Sequence, residues 1–191
     1  MEFGAASAPH VKVGDVTLVR ETVRSAFGDL VMHTGGSGPA LVLLHGGAGS
    51  WTHWIRNIPR LAAHYTVHAL DLPGCGDSAD ASNHMGTEEY IDLTAEAIGS
   101  HMDRARPLRF AGFSFGGVTA AGITARLGPR VVKLSLAGPG GFGMKPVPDF
   151  PLRKVPFASG DRKAVDDELR HNLLVMMFAR PETIDDETLE L

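Results

Sequence analysis

The chain has only one cysteine, Cys75, among its 191 residues. A single cysteine excludes an intramolecular disulfide and any all-thiolate metal site. Nine histidines are present, but they form no HExxH motif and have no CxxC partner, which argues against a structural zinc site. We therefore expect no metal site, and no motif in the sequence implies an organic cofactor.

The sequence also lacks an excess of positive charge and a long apolar run. Its 18 Lys and Arg residues stand against 22 Asp and Glu residues, for a net charge of −4. A nucleic-acid binder usually carries a basic stripe, and none is visible here. No apolar run approaches the roughly 18 residues of a membrane span, and residues 1–7 lack the pattern of a secretory signal. These observations predict a soluble cytoplasmic protein that binds neither nucleic acid nor membrane. They leave its oligomeric state open.

Apolar segments that alternate with helical segments predict a mostly parallel, doubly wound α/β sheet. We predict six strands and four main helices from hydrophobic periodicity and turn residues. The predicted strands are residues 11–19, 30–32, 40–44, 65–70, 107–113 and 130–136, and the helices are 54–63, 87–104, 115–127 and 161–179. A glycine- and proline-rich segment after residue 137 places a boundary near residue 142, between a sheet domain (1–142) and a helical segment (143–191).

The sharpest motif is Gly112-Phe113-Ser114-Phe115-Gly116, where a predicted strand meets a predicted helix. A G-x-S-x-G sequence at such a junction forms a nucleophile elbow, a strained turn that exposes the serine hydroxyl above the sheet. A second motif, His45-Gly46-Gly47, follows the most apolar predicted strand. Its glycines leave backbone N–H groups accessible, and one of them together with the Phe115 N–H can form a two-donor oxyanion hole.

A third motif, Leu70-Asp71-Leu72-Pro73-Gly74-Cys75-Gly76-Asp77-Ser78, follows the intervening strand. In this order the three motifs resemble the α/β-hydrolase superfamily over essentially the whole chain. The resemblance implies Ser114 as the catalytic nucleophile, and Gly46 or Gly47 with Phe115 as oxyanion donors. It also implies that residues 143–191 begin a helical cap.

The double-glycine loop and residues 136–143 resemble, more narrowly, the carbon–carbon hydrolases that cleave ring-fission dienoates. One position departs from that group, since those enzymes usually have Asn before the nucleophile and this chain has Phe113.

Asp71 heads a Pro-Gly turn, so we interpret it as a turn-capping carboxylate rather than a catalytic acid. Cys75 has no obvious activating base and is interpreted as an ordinary loop residue.

The acid and histidine of the triad are not evident in the sequence. The resemblance implies that the acid and the histidine follow the seventh and eighth strands of the sheet. Only six strands are predicted here. The one histidine after Ser114 is His171, in a predicted helix. We interpret the chain as lacking the C-terminal part of the core, and as inactive alone because a serine without its base is a weak nucleophile. A triad of Ser114, an aspartate and His171 remains an alternative.

The favoured interpretation is a serine hydrolase that acts on a carboxylic ester or a similar small carbonyl compound. Carbon–carbon bond hydrolysis on the same scaffold is the first alternative. A hydrolase-like module that binds a ligand without turnover is the alternative from a different class.

Overall fold

The computed structural model describes residues 10–82, 84–141 and 150–190. The chain divides into two compact units, residues 1–142 and 143–191. The first contains the sheet, and the second contains helices. None of the helices in the described ranges is long and apolar enough to span a membrane.

The first unit is built on a mixed sheet whose strands follow the order β1-β2-β3-β5-β4-β6-β7. Strands β4 to β7 are parallel to one another, and β1, β2 and β3 extend the sheet in antiparallel pairing. The strands are β1 (His10–Val13), β2 (Val16–Ser25), β3 (Gly28–Gly36), β4 (Ala40–Leu44), β5 (Thr66–Leu70), β6 (Leu108–Phe113) and β7 (Val131–Ala137). The α/β class and the mostly parallel sheet are thus confirmed.

The predicted count of six strands is wrong, because the described part of the core has seven. The segment predicted as one strand over residues 11–19 is a hairpin in which Val13 pairs with Val16. Gly14, at φ 58°, takes the first position of the two-residue turn, a conformation that glycine adopts without steric cost. The apolar positions shift phase at Gly14-Asp15, and this Gly-Asp pair is the hairpin signal that the interpretation as one strand overlooked.

Helices cover both faces of this sheet and create two apolar clusters. The unit contains α1 (Ile58–Ala62), α2 (Thr87–His101) and α3 (Phe115–Leu127). One cluster joins α2 and α3 to side chains such as Met32, Val42 and Phe110, and the other joins α1 to the opposite face. Strand β4 is buried at all five positions, as its continuous apolar sequence predicts. Each fully buried large aliphatic side chain contributes about 1.5–3 kcal/mol, so β4 anchors the sheet.

The second unit contains α4 (Arg162–Met176) and α5 (Asp186–Glu190). Helix α4 begins after Asp161, whose side chain accepts a hydrogen bond from the Ala164 N–H at 3.1 Å. This side-chain cap explains the sharp start of the helix. Its end at Met176 falls three residues before the predicted end.

Strand β7 forms one edge of the described sheet and is exposed along most of its length. Three alternate residues remain accessible on one face: Val132 (50% exposed), Leu134 (36%) and Leu136 (38%). A strand edge with unpaired backbone groups and apolar side chains is a template for pairing with another chain. This face is therefore the part of the sheet most prone to self-association.

We predict that replacing Leu134 and Leu136 together by Lys reduces self-association of the 191-residue chain. Two charges on an edge strand oppose both strand pairing and apolar contact. Sedimentation velocity and binding of a hydrophobic dye measure the effect. Val19→Lys is the matched control, because Val19 is 42% exposed but lies on β2, between β1 and β3. Equal association of the double variant and the wild type would contradict this assignment.

Candidate active site

Three loops meet where the parallel strands β4, β5 and β6 end. In a doubly wound sheet, this carboxyl edge is where ligands bind. The loop after β4, residues 45–50, is called the glycine loop below. The loop after β5 begins at Asp71, and β6 leads directly through Ser114 into α3.

Ser114 occupies a strained turn between strand and helix. Its φ of 50° and ψ of −117° lie in a region that non-glycine residues rarely adopt, at a cost on the order of 1–3 kcal/mol. The Ser114 N–H donates to the carbonyl of Ala137 at 2.9 Å, which ties the turn to the end of β7. The side chain of Ser114 makes no capping hydrogen bond to α3. The hydroxyl is therefore not used to hold the helix.

Two glycines allow the turn to close tightly. A Cβ on Gly112 would collide with the backbone of Gly116, and a Cβ on Gly116 would collide with the carbonyls of Leu44 and His45. The absence of these two side chains lets the start of α3 pack directly on the end of β4. This close packing brings the glycine loop beside Ser114.

The glycine loop lies against the elbow at two points. A Cβ added to Gly46 would lie 3.4 Å from the Cβ of Ser114, and one added to Gly47 would lie 3.8 Å from the Cβ of Phe115. The Gly46 N–H donates to Nδ1 of His53 at 3.2 Å. Among the described residues, the N–H groups of Gly47 and Phe115 have no hydrogen-bond acceptor. The structure thus brings together Ser114, Gly46, Gly47 and Phe115, and two of these residues present free amide donors.

His45 connects the glycine loop to the loop after β5. Its Nε2 accepts the Leu72 N–H at 2.9 Å, so Nδ1 carries the proton and donates to the Gly46 carbonyl at 2.7 Å. The side chain is completely buried, and burial lowers the pKa of His45, an effect partly offset by the bond to Gly46. Both ring nitrogens are occupied, so His45 braces the loops in its neutral form.

Asp71 is a buried tie between loops, in agreement with its interpretation as a turn-capping carboxylate. It accepts the Trp51 N–H at 2.7 Å and the Asp77 N–H at 3.0 Å. Burial raises the pKa of Asp71, although both N–H bonds oppose that shift. Trp51 in turn stacks on His33, with ring centroids 4.4 Å apart, which anchors the segment after the glycine loop.

Cys75 and His171 do not gain a chemical role from the structure. Burial raises the pKa of the Cys75 thiol, which disfavours the nucleophilic thiolate. His171 lies on α4 in the second unit, and its Nε2 is 2.9 Å from the carbonyl of Pro151. Because a carbonyl only accepts, that nitrogen carries a proton and cannot act as a base there.

A cavity of about 250 Å³ lies at the opposite edge of the sheet, away from Ser114. It is lined by the first residues of parallel strands, Ala40, Thr66 and Leu108, and by the end of α2. None of the residues that surround Ser114 lines it. This cavity is therefore not part of the site at Ser114.

The order of the strands, the serine at the strand–helix turn and the adjacent glycine loop define a hydrolase-type α/β protein. A family model described as "Alpha/beta hydrolase family" matches residues 41–189, and the chain belongs to this family. The acetyltransferase component of the acetoin cleaving system of Pseudomonas putida is 34% identical over 82% of this chain and 40% of its own length. The 2-hydroxy-6-oxo-6-phenylhexa-2,4-dienoate hydrolase of Comamonas testosteroni is 31% identical over 66% of this chain and 46% of its own.

Solved structures of esterases have the same fold. The naproxen esterase of Bacillus subtilis superposes with a TM-score of 0.59 at 25% identity, over 65% of this chain and 44% of the esterase. The chain thus spans less than half the length of each of these three relatives.

His53 is the residue near the elbow that the sequence analysis missed. It lies in a short 3-10 turn, Trp51–Trp54, seven residues after the glycine whose N–H it accepts. No motif marks it, because the contact depends on how the glycine loop folds back. A histidine shortly after a double glycine was the one available signal.

We predict that Gly116→Ala lowers the free energy of unfolding by about 1–3 kcal/mol, the usual cost of overpacking. The added methyl group would meet backbone carbonyls, which cannot rotate away. Chemical denaturation followed by circular dichroism measures the change. Gly86→Ala is the control, since Gly86 has a φ of −73° and no atom within 4 Å of an added Cβ. Equal stability of the two variants would show that α3 does not depend on this contact.

Proposed function

We propose that this chain carries the nucleophile and the oxyanion hole of a serine hydrolase. Its substrate is a carboxylic ester or a similar small carbonyl compound. Ser114 attacks the carbonyl carbon, and the N–H groups of Gly47 and Phe115 stabilise the negative charge that develops on the oxygen. The observation that supports this proposal is the strained φ of Ser114 beside two amide donors that have no acceptor within the described part of the chain.

The choice of Gly47 over Gly46 as donor rests on hydrogen bonding. The Gly46 N–H is already engaged by His53, whereas the Gly47 N–H is not. The N-terminus of α3 adds a partial positive charge on the same side, because its first N–H groups have no intrahelical partner. Both donors are backbone groups, so the proposal needs no further side chain to hold the oxyanion.

The base for Ser114 does not come from the neighbouring histidines of the first unit. His45 uses both ring nitrogens in loop contacts, and His53 accepts through Nδ1, which leaves the proton of the neutral ring on Nε2. We propose that another histidine supplies this role. Without it, residues 1–191 would keep only the residual catalysis of an oxyanion hole and binding, roughly 10³–10⁴ over water.

Ester cleavage is favoured over carbon–carbon cleavage by the residue before the serine. Phe113 places an apolar ring there, in a T-shaped contact with His53 at a centroid distance of 5.9 Å. A phenyl ring offers no hydrogen bond to a polar dienoate. The likeness to the Comamonas hydrolase keeps the alternative open, and parallel assays of a ring-fission dienoate and a short p-nitrophenyl ester separate the two.

We predict that Ser114→Ala abolishes labelling by a fluorophosphonate probe in the protein expressed from its complete reading frame. The probe reacts with an activated serine hydroxyl, and alanine has none. Gel fluorescence measures the labelling, and Ser100→Ala on an exposed position of α2 is the control. Labelling that persists in Ser114→Ala would exclude this nucleophile. Failure of the wild type to label would favour a ligand-binding module.

We predict that Gly47→Pro lowers kcat for an ester by about 10²–10³, the usual cost of losing one oxyanion donor. Proline removes the N–H of residue 47. Gly47→Ala is the matched control, because it keeps the N–H and its Cβ makes an ordinary contact with Phe115 at 3.8 Å. Circular dichroism checks that both variants fold. Near-normal turnover in a folded Gly47→Pro protein would refute the donor assignment.

A further inference from the structure

His53 holds the backbone of the glycine loop through one hydrogen bond. Its Nδ1 accepts the Gly46 N–H, and this bond joins two positions seven residues apart beside Ser114. Its ring makes T-shaped contacts with His45 and with Phe113, each at a centroid distance of 5.9 Å. Any flat side chain could provide such packing, but only an acceptor can satisfy the Gly46 N–H.

Gly46 is held by imidazole rings at both of its backbone polar groups. His53 accepts from its N–H, and His45 donates to its carbonyl at 2.7 Å. All described peptide bonds are trans, and in a trans peptide the carbonyl and the following N–H point in opposite directions. Fixing the Gly46 carbonyl on His45 therefore fixes the direction of the Gly47 N–H. The two rings together decide which amide of the loop stays free.

The bond to His53 exists only while the ring is neutral. A protonated imidazole has two donors and no acceptor, so it cannot take the Gly46 N–H. Although more than a third of the residue is exposed, partial desolvation lowers the pKa of His53, and nearby His45 lowers it further. The packed neighbours are His45 from the glycine loop and the uncharged Phe113 from β6, and neither offers a negative charge to stabilise a cationic ring.

We propose that His53 is a positioning residue for the oxyanion hole. By accepting the Gly46 N–H, it keeps the glycine loop in the state that presents the Gly47 N–H to Ser114, and protonation of His53 in mildly acidic solution releases the loop. The role of this loop state in catalysis rests on the proposed function. The hydrogen bond and its loss on protonation are independent of that function.

The sign of the pH effect follows from the lowered pKa. When the loop opens, the histidine regains its ordinary pKa near 6.5 and binds a proton more readily. The closed loop is therefore fully favoured above that value. It loses stability as the pH falls from there towards the lower pKa of the closed state.

Nuclear magnetic resonance of the ¹⁵N-labelled protein from the complete reading frame tests the hydrogen bond directly. The amide shifts of Gly46 and Leu72 are followed from about pH 8 to about pH 4.5, a range that begins above the ordinary histidine pKa near 6.5 and extends well below it. We expect the Gly46 amide to move upfield with a midpoint below 6.5. The Leu72 amide, bound to Nε2 of His45, reports that second histidine separately.

Two variants distinguish positioning from packing. His53→Asn puts an acceptor that does not ionise near the place of Nδ1, so the Gly46 amide should stay downfield at every pH. His53→Leu keeps the bulk without an acceptor, so the amide should lie upfield at every pH. His64→Leu, at an exposed position after α1, is the control and should titrate like the wild type. An unchanged Gly46 titration in His53→Leu, or no titration in the wild type, would overturn the proposal.

Ester kinetics then test the catalytic consequence. His53→Leu should lose about tenfold in kcat with little change in KM, as expected for one lost hydrogen bond. His53→Asn should keep kcat near the wild-type value at neutral pH, and its acidic decline should be shallower, because only the proposed histidine base then titrates. Full activity of His53→Leu would overturn the positioning role. If the Gly46 amide titrates as expected but the wild type hydrolyses no ester, the proposed function fails and the loop assignment stands.

Discussion

The contact between the start of helix α3 and the end of strand β4 is the constraint on which the serine site depends. It exists because Gly112 and Gly116 carry no side chains, so backbone meets backbone. Both proposed oxyanion donors are backbone amides, and the position of an amide is set by the packing of its own segment. A shift of this helix would therefore move Phe115 and the serine together, away from the glycine loop.

Buried polar side chains hold the loops that this contact brings together. His45 joins the glycine loop to Leu72, while Asp71 joins the loop after β5 to Trp51 and, through the Asp77 N–H, closes the turn within its own loop. A buried group that loses its partner costs about 1–3 kcal/mol, so each tie resists opening. These ties also offset the strain of Ser114, since a residue stays in a sparsely populated conformation only when its surroundings fix it.

The sequence was sufficient to predict what depends on short, local patterns. The buried strand at residues 40–44, the turn at Ser114 and the double glycine each have a local signature, and the structure places them at one edge of the sheet. The hairpin at Gly14 was missed because its turn has only two residues, so the phase shift of the apolar positions from Val13 to Val16 was interpreted as part of one strand. The role of His53 could not be predicted, because it accepts a hydrogen bond from a glycine seven positions earlier, and that distance is set by the path of the loop.

In the proposed mechanism, the residues that stabilise the oxyanion use only their backbones, so their side chains are available for another role. Phe115 is 38% exposed beside the serine and packs on Tyr90, with ring centroids 5.6 Å apart. Changing this ring alters the shape and polarity beside the acyl group but leaves the N–H in place. Phe113 and His53 are different, because one packs against Gly46 and the other binds its amide. Substrate preference can therefore vary at Phe115 without disturbing the oxyanion hole, whereas the same change at Phe113 or His53 would alter both.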